Sequence, residues 1–397
     1  MIKLSNRIMA MEESATIAMS RKSRELKAEG KDVIALSLGE PDFDTPQFVK
    51  DAALQAMNDN FTKYTPVPGY EDLREAISTK FKRDNNLDYP ANQIVVSTGA
   101  KQSIANVVLS LVEKGDEVVI PAPFWVSYIE IVKVSEGTPV IVNAGLENDF
   151  KITGAQLAAS INEKTKLIIF STPCNPTGSV YSKAELRELA DVLAANPNVV
   201  IIADEIYEHI SFTSKHESLA QFDDIKDQVV TINGVSKAWA MTGWRVGYIG
   251  ANKTIADACT KMQGQFTSAT CSIAQKASIA ALEADPVILK DMIAAFKGRR
   301  ELVLRELDKI DGVISNVPEG AFYVFPDVSA FFGKSYNGRT VSDANDIAMY
   351  LLEEALVAIV TGAAFGDPSC IRISYAASEE TLIEAMKRIK DALEKLT

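Results

Sequence analysis

A single lysine, Lys237, follows the run Thr231-Ile232-Asn233-Gly234-Val235-Ser236 and precedes Ala238-Trp239-Ala240-Met241-Thr242-Gly243-Trp244-Arg245-Val246-Gly247. An amine flanked by aromatic and small residues can be desolvated, which lowers its pKa and makes it a nucleophile. Arg245, eight residues on, can supply a planar, bidentate grip on a phosphate. The plainer alternative is an exposed loop lysine, and the flanking residues argue against it.

Further candidates stand where other apolar runs end. The run from Val199 ends in Ala203-Asp204-Glu205-Ile206-Tyr207. That sets Asp204 at the carboxyl end of a strand, where open α/β sheets bind ligands, and Tyr207 can bring a phenol hydroxyl into the same crevice. A helix N-cap is the alternative for Asp204. Ser171-Thr172-Pro173-Cys174-Asn175-Pro176-Thr177-Gly178 follows another strand. Turn formation explains its prolines and glycine but does not require Asn175 at the same edge as Asp204. Ser97-Thr98-Gly99-Ala100-Lys101 links a strand to a helix. Small residues there expose backbone N–H groups at a helix N-terminus, a phosphate site that many strand–helix turns could imitate. Arg372 sits in the apolar run Ile371-Arg372-Ile373, where an unpaired guanidinium is costly. It must meet either a ligand carboxylate or a carboxylate of the protein.

The elements that carry these residues can be read from hydrophobic patterning. Ile94–Val96, Glu117–Ile120, Leu167–Phe170, Val199–Ile202 and Val229–Ile232 are continuous β-branched runs, suited to a mostly parallel sheet covered on both faces. Helical patterns lie between them: Lys101–Val112, and a face made by Leu186, Leu189, Ala190 and Leu193. Strand and helix alternate, so the class is α/β. From about residue 285 the texture changes. Asp285–Ile310 predicts a long charged helix, Gly320–Phe325 and Cys370–Tyr375 predict strands, and Leu382, Ala385, Met386, Ile389 and Leu393 share one face of a closing helix. These segments predict a smaller α+β domain.

Composition narrows the function. With 397 residues and 47% hydrophobic content, the chain can build two domains with sizeable cores. A net charge of -12 argues against nucleic acid or an anionic membrane as main partner. Cys174, Cys259, Cys271 and Cys370 form no C-x-x-C pair, and scattered thiols fit a reducing compartment. His209 and His216 are too few for most histidine-based metal sites, so no metal is expected. Met1–Ser20 lacks the apolar region of a signal peptide, and no run approaches the roughly 18 apolar residues that span a membrane. A cytoplasmic protein is expected.

Together, the order and spacing of these motifs resemble one family, the class I/II pyridoxal-phosphate (PLP) aminotransferases of fold type I, and most of all the bacterial-type aspartate aminotransferases. The Lys237–Gly247 run is the most specific part. Asn175-Pro176-Thr177-Gly178 and Asp204-Glu205-Ile206-Tyr207 precede it in the family's order, and the likeness extends from Leu38-Gly39-Glu40-Pro41-Asp42-Phe43 to Arg372-Ile373-Ser374-Tyr375. The resemblance implies that Lys237 carries PLP as a Schiff base and shuttles the substrate proton, while Asp204 pairs with the pyridine nitrogen. It implies that Asn175 and Tyr207 hydrogen-bond the ring's phenolate oxygen and that Trp125 lies against the ring. Gly99, Ala100, Lys101, Ser236 and Arg245 would surround the phosphate, with Tyr64 reaching the phosphate of a neighbouring subunit in a homodimer. Gly39 and Arg372 would hold the substrate α-carboxylate, beside Trp125 and Asn175.

The departures from the family pattern are informative. Gly234 stands where many relatives carry a phosphate-binding serine, and Gln263–Gln275 lacks the arginine that grips a distal carboxylate in animal and enteric members. In the other bacterial subgroup a lysine does this work, and Lys101 matches it, beside Ser14 and Thr16. Glu12 and Glu13 replace a basic residue that helps some relatives use prephenate, which puts that activity in doubt. The expectation is an aspartate:2-oxoglutarate aminotransferase with a ping-pong mechanism. The divisions expected are an arm with part of the small domain at 1–47, a large PLP-binding domain at 48–285 and a small domain at 286–397. The rivals on the same fold are aromatic, alanine or prephenate aminotransferases and a β-lyase. A PLP-binding DNA regulator would need a basic module that this chain lacks, and a Schiff-base aldolase needs no Asp/Asn/Tyr set.

Overall fold

The computed structural model describes residues 2–212 and 215–397. Seven strands form the main sheet: β1 Ile94–Ser97, β2 Glu117–Ala122, β3 Thr138–Asn143, β4 Thr165–Ser171, β5 Val200–Asp204, β6 Val229–Gly234 and β7 Gly247–Gly250. Their spatial order is β1-β7-β6-β5-β4-β2-β3. All pairs are parallel except the two made by β7, which runs antiparallel to β1 and β6.

The continuous apolar runs have the cause expected of them, since both faces of the sheet are covered. Along β4, Ile168 and Phe170 join one hydrophobic cluster while Leu167 and Ile169 join the other, and β5 divides Ile201 from Ile202 in the same way. The five predicted strands are all present. The two unforeseen ones have weak signals for physical reasons. β3 is an edge strand, half-exposed and carrying Pro139, a residue that weakens a strand signal and that an edge accommodates readily. β7 begins and ends in glycine. Gly247 is needed because a Cβ there would run into the backbone of Gly99 and Ala100.

The helices that matter for the site are α1 Ala15–Ala28, α2 Ala100–Leu111 and α3 Ser127–Val134. The predicted helix at 285–310 is a 3-10 turn, Pro286–Leu289, followed by α4 Lys290–Leu307. The C-terminal helix α5, Glu379–Leu393, packs on α4 and buries the predicted face. The two predicted late strands are shorter than expected. They are β8 Tyr323–Val324 and β10 Ile371–Ser374, joined antiparallel with β9 Val360–Thr361 in the order β9-β10-β8. The N-terminal segment is stitched to this region. Ile34 and Ala35 pair in parallel with Val357 and Ala358, and the Ser374 N–H donates to the Leu36 carbonyl at 3.0 Å. That pairing carries Ser37, Leu38 and Gly39 to the flank of Arg372. Among the described residues no helix is long and apolar enough to cross a membrane.

Behind the strand end that bears Asp204 lies a buried charge network. Lys80 and Glu208 pair directly, with side chains 2% and 3% exposed. Lys80 also donates to Asn85 Oδ1 at 2.8 Å, and Asn85 donates to Glu208 Oε2 at 2.8 Å. Burial opposes ionisation of Glu208, but Lys80 and His209 outweigh it and hold the carboxyl well below its usual range. Removing one partner of such a pair strands the other charge. We therefore expect Lys80→Met to cost about 3–5 kcal/mol of stability in urea unfolding; a loss under about 1 kcal/mol would show that Glu208 is satisfied without Lys80.

Candidate active site

A cavity of about 350 Å³ opens at the carboxyl ends of β4, β5 and β6. Lys237 reaches it from the turn after β6, and its Nζ donates to the Gly39 carbonyl at 2.5 Å. Burial lowers the amine from 10.5 to about 8, with Arg372 and Arg245 adding to the effect and Glu40 and Asp204 opposing it. A substantial neutral fraction near pH 8 is what a nucleophilic lysine needs.

Asp204 ends β5 and is 5% exposed. No helix follows it, so it is not a helix cap. One oxygen, Oδ1, accepts the Ile206 N–H at 3.3 Å, and Oδ2 accepts the Tyr128 hydroxyl at 2.8 Å. Burial raises this carboxyl to about 6 against those two hydrogen bonds and the Lys237 charge. Tyr207 and Tyr323 share a hydrogen bond of 2.7 Å between their hydroxyls. Burial pushes both phenols up.

Arg372 projects from β10 and is 1% exposed. Its Nη1 donates to Asn175 Oδ1 at 2.9 Å and its Nη2 to the Ser37 carbonyl. Among the described residues its Nε has no hydrogen-bond partner, and no carboxylate pairs with it. Burial lowers its pKa. The rings of Tyr323 and Phe365 lie 4.6 and 4.9 Å from its guanidinium carbon. Among the described residues, neutral oxygens and ring faces thus hold this buried cation.

At the other side, Gly99 enters α2 with φ +81, a conformation that favours glycine, and a Cβ there would strike the Arg245 guanidinium. Arg245 donates to the Thr242 carbonyl at 2.9 Å. The α2 N-terminus and Arg245 form a cradle for an anion. Lys101 Nζ lies 4.9 Å from the Trp125 ring centre, and desolvation, then the Arg245 charge, lower its pKa. Gly234 is closed to any side chain by the Val246 carbonyl, whereas Ser236 lines the cavity.

Most of the residues singled out from sequence therefore meet. Lys237, Asp204, Tyr207, Asn175, Trp125 and Arg372 line the cavity with Gly39, Ala100, Lys101, Ser236 and Arg245, and Ser14 and Thr16 bring the start of α1 to its mouth. Gly99 adjoins it through Arg245. Tyr64 does not reach this cavity. It is 99% exposed and borders a separate depression formed with Thr267–Ser272. Sequence reasoning missed Tyr128, Tyr323, Ser37 and Glu40, whose carboxylate accepts the Thr242 hydroxyl. Tyr128 follows Trp125 by three residues, one helical turn, and that spacing was the available signal. Tyr323 was the polar tip in an otherwise apolar run.

This donor set fits PLP. A cradle of N–H groups and Arg245 suits a phosphate, Asp204 suits a cationic ring nitrogen, Lys237 suits an aldehyde carbon, and Asn175 and Tyr207 suit a phenolate oxygen. Two acid–histidine groups, Asp84-Glu208-His209 and Glu205-Glu208-His216, have ligand atoms within 4.8 Å of one another, but the Lys80 ammonium already occupies Glu208.

Comparison with known proteins bears on the same reading. Residues 31–389 match the profile of the family described as aminotransferase class I and II. The chain is 47% identical over 392 residues to a probable aspartate/prephenate aminotransferase of Rickettsia bellii (strain RML369-C), covering 98% of each. It is 44% identical to a bifunctional aspartate aminotransferase and glutamate/aspartate-prephenate aminotransferase of Petunia hybrida, covering 99% of this chain and 83% of that one. Among solved structures, the aspartate aminotransferase of Rhizobium meliloti superposes with a TM-score of 0.97 at 41% identity, covering 100% of both chains. That of Thermus thermophilus with maleate superposes with a TM-score of 0.93 at 37% identity, covering 99% of this chain and 100% of the other.

The buried Asp204 carries a pH signature. Its carboxyl is raised from 3.8 to about 6, so the ligand-free fold is protonated where the unfolded chain is already ionised. Below pH 3.8 both states hold the proton, and above about 6 neither does. The fold therefore loses stability as pH rises through that window, by about 3 kcal/mol at about 1.4 kcal/mol per pH unit. We expect the unfolding free energy of Asp204→Asn, relative to the parent, to shift in the variant's favour by about that amount between pH 4 and pH 8. A pH-independent difference in urea titrations would contradict the raised carboxyl.

Proposed function

The chain belongs to the class I and II aminotransferase family, and on that premise we propose that it is a PLP-dependent aspartate:2-oxoglutarate aminotransferase. The observation that carries this reading is Arg372, a fully buried guanidinium with no carboxylate partner among the described residues. An α-amino acid supplies the missing carboxylate. Bound PLP supplies an aldehyde carbon for amine exchange and a ring that takes up the electron pair released at the substrate's Cα.

The protein's own groups do the rest. Arg372 takes the α-carboxylate bidentately, with Asn175 and the Gly39 backbone completing that end. Lys237, released from the Gly39 carbonyl, would be the base that moves the proton between the substrate Cα and the cofactor's C4′ carbon. Asp204 holds the ring nitrogen's proton in place. Tyr207 and Asn175 would donate to the ring oxygen, and Trp125 would cover the ring and exclude water. Ser236, Arg245 and the start of α2 hold the phosphate. In the first half-reaction L-aspartate leaves as oxaloacetate, and in the second 2-oxoglutarate leaves as L-glutamate.

Lys101, Ser14 and Thr16 meet the second carboxylate of an acidic substrate. We also propose a cytoplasmic homodimer with active sites at the subunit interface and Tyr64 serving the neighbouring phosphate, together with the division of the chain at about residues 47 and 285. The exposure of Tyr64 supports that role. A prephenate-type acceptor is the second reading. It is supported by the names of the Rickettsia and Petunia relatives. The arm acids do not oppose it, because Glu12 and Glu13 lie outside the cavity lining and Glu13 pairs with Arg21 at 2.9 Å. Assaying prephenate beside 2-oxoglutarate as acceptor for one donor decides between them.

Absorption spectroscopy tests the core of the proposal. The PLP-loaded protein should show a bound-cofactor band that moves on adding L-aspartate, and Lys237→Ala should bind PLP without that covalent linkage and lose turnover by several orders of magnitude. Near-normal transamination by Lys237→Ala would remove the lysine from the mechanism.

Lys101 tests the substrate class. With PLP saturating, Lys101→Ala should lower kcat/KM for aspartate by about 2–4 kcal/mol, the scale of one charge-assisted contact. Phenylalanine, with no second carboxylate, should be spared or favoured. Equal losses for both would mean that Lys101 serves only the phosphate.

A further inference from the structure

Tyr128 has no part in the roles assigned above, yet it is the side chain most directly tied to Asp204. It lies in the first turn of α3 and is 1% exposed. Its hydroxyl donates to Asp204 Oδ2 at 2.8 Å, and its ring meets Trp125 edge-on with centroids 5.5 Å apart. Among the described residues it is the only side chain that donates to this carboxylate; the other oxygen has a single backbone donor, the Ile206 N–H at 3.3 Å. Tyr128 and Asp204 both line the cavity.

We propose, resting on the PLP-dependent function argued above, that Tyr128 is a positioning residue whose phenol anchors the Asp204 carboxylate to the cavity wall and leaves its outward lone pairs for the ring N–H of the cofactor. A carboxylate accepts about four hydrogen bonds. Tyr128 and Ile206 use one site on each oxygen, so the remaining sites are free to face the cavity.

The charged and titratable groups around Asp204 give Tyr128 its leverage. Lys237, from the turn after β6, favours the ionised carboxylate, while Glu205, next along the chain, opposes it. The Cys174 thiol and the Tyr207 phenol are neutral neighbours that burial pushes up. Burial also lifts Asp204, and the Tyr128 hydrogen bond is the first of the effects that resist the lift. Burial pushes the Tyr128 phenol itself well above its ordinary value, so it remains a donor throughout the working pH range. Without that donor the carboxylate binds a proton more tightly. The proton shared with the ring nitrogen then moves toward Asp204, and the ring loses part of its positive charge.

The test uses full-length protein loaded with PLP that is ¹⁵N-labelled at the ring nitrogen. Wild type, Tyr128→Phe and Asp204→Asn are compared by ¹⁵N NMR, by PLP affinity and by the pH profile of kcat/KM for aspartate. Tyr128→Phe keeps the ring and its contact with Trp125. Its nitrogen resonance should move from the protonated wild-type position toward that of Asp204→Asn, its PLP affinity should fall about tenfold, and the acid limb of the profile should rise by about one pH unit. Replacing Tyr128 with 3,5-difluorotyrosine strengthens the donor at nearly constant shape and should shift the resonance the opposite way, which keeps the question answerable should Tyr128→Phe fold poorly. An unmoved resonance in both variants, with Asp204→Asn shifted, overturns the role of Tyr128 and leaves the enzyme's function standing. A lowered melting temperature with an unmoved resonance marks a purely structural tyrosine and overturns it equally. A wild-type protein that takes up no PLP overturns the functional reading instead.

Discussion

A guanidinium removed from water must recover its lost solvation from fixed groups. Arg372 recovers part of it from the Asn175 side chain, the Ser37 carbonyl and two aromatic faces, and, among the described residues, none of it from a carboxylate. Much of the architecture serves this arrangement. The pairing of Ile34–Ala35 with Val357–Ala358 brings the Ser37–Gly39 segment to one side of the guanidinium. The turn after β4 brings Asn175 to another, and β10 carries the arginine itself. The protein supplies enough hydrogen bonding to keep the cation folded, and not enough to neutralise it. That imbalance leaves the guanidinium able to pair with an anion.

The rest of the cavity repeats this partial satisfaction with groups of different charge. Among the described residues Lys237 donates only to a carbonyl, and burial brings its pKa to about 8, near the range in which an amine can exchange its proton. Asp204 has two donors for its oxygens and a pKa of about 6. The cationic cradle at α2 and Arg245 borders the same cavity. A molecule with a phosphate at one end and a cationic ring nitrogen at the other would find groups of opposite charge for both ends among these residues. These groups are gathered by the ends of parallel strands, where successive strands deliver side chains to a common edge. Behind the edge, the fully paired Lys80–Glu208 group shows the opposite treatment of charge, satisfied internally and closed to ligands.

Legibility from sequence followed the range of the interaction. Lys237, Asp204, Asn175 and the Gly99-Ala100-Lys101 turn could be found because each sits where a β-branched run gives way to small or polar residues, and a covered parallel sheet writes such runs plainly. The strand ends were therefore fixed by local pattern, as were the sheet's class and the face of the closing helix. β3 and β7 escaped that pattern, the one because it is a half-exposed edge and the other because glycines replace the bulky residues that would mark it.

What the amino-acid order determined by itself was the inventory: one desolvated lysine, a carboxylate, an amide and an arginine, each at the end or in the middle of an apolar run. What only the tertiary structure decided was who touches whom. Tyr128 meets Asp204 across 76 residues, Tyr207 meets Tyr323 across 116, and Arg372 meets Asn175 across 197. No periodicity encodes such contacts, because a hydrogen bond forms or fails over a few tenths of an ångström. That distance is set by how separate elements pack, and not by the spacing of residues along either one. The unpaired state of Arg372 is likewise a property of the assembled interior, since any of the chain's 53 acidic residues could have met it in another fold.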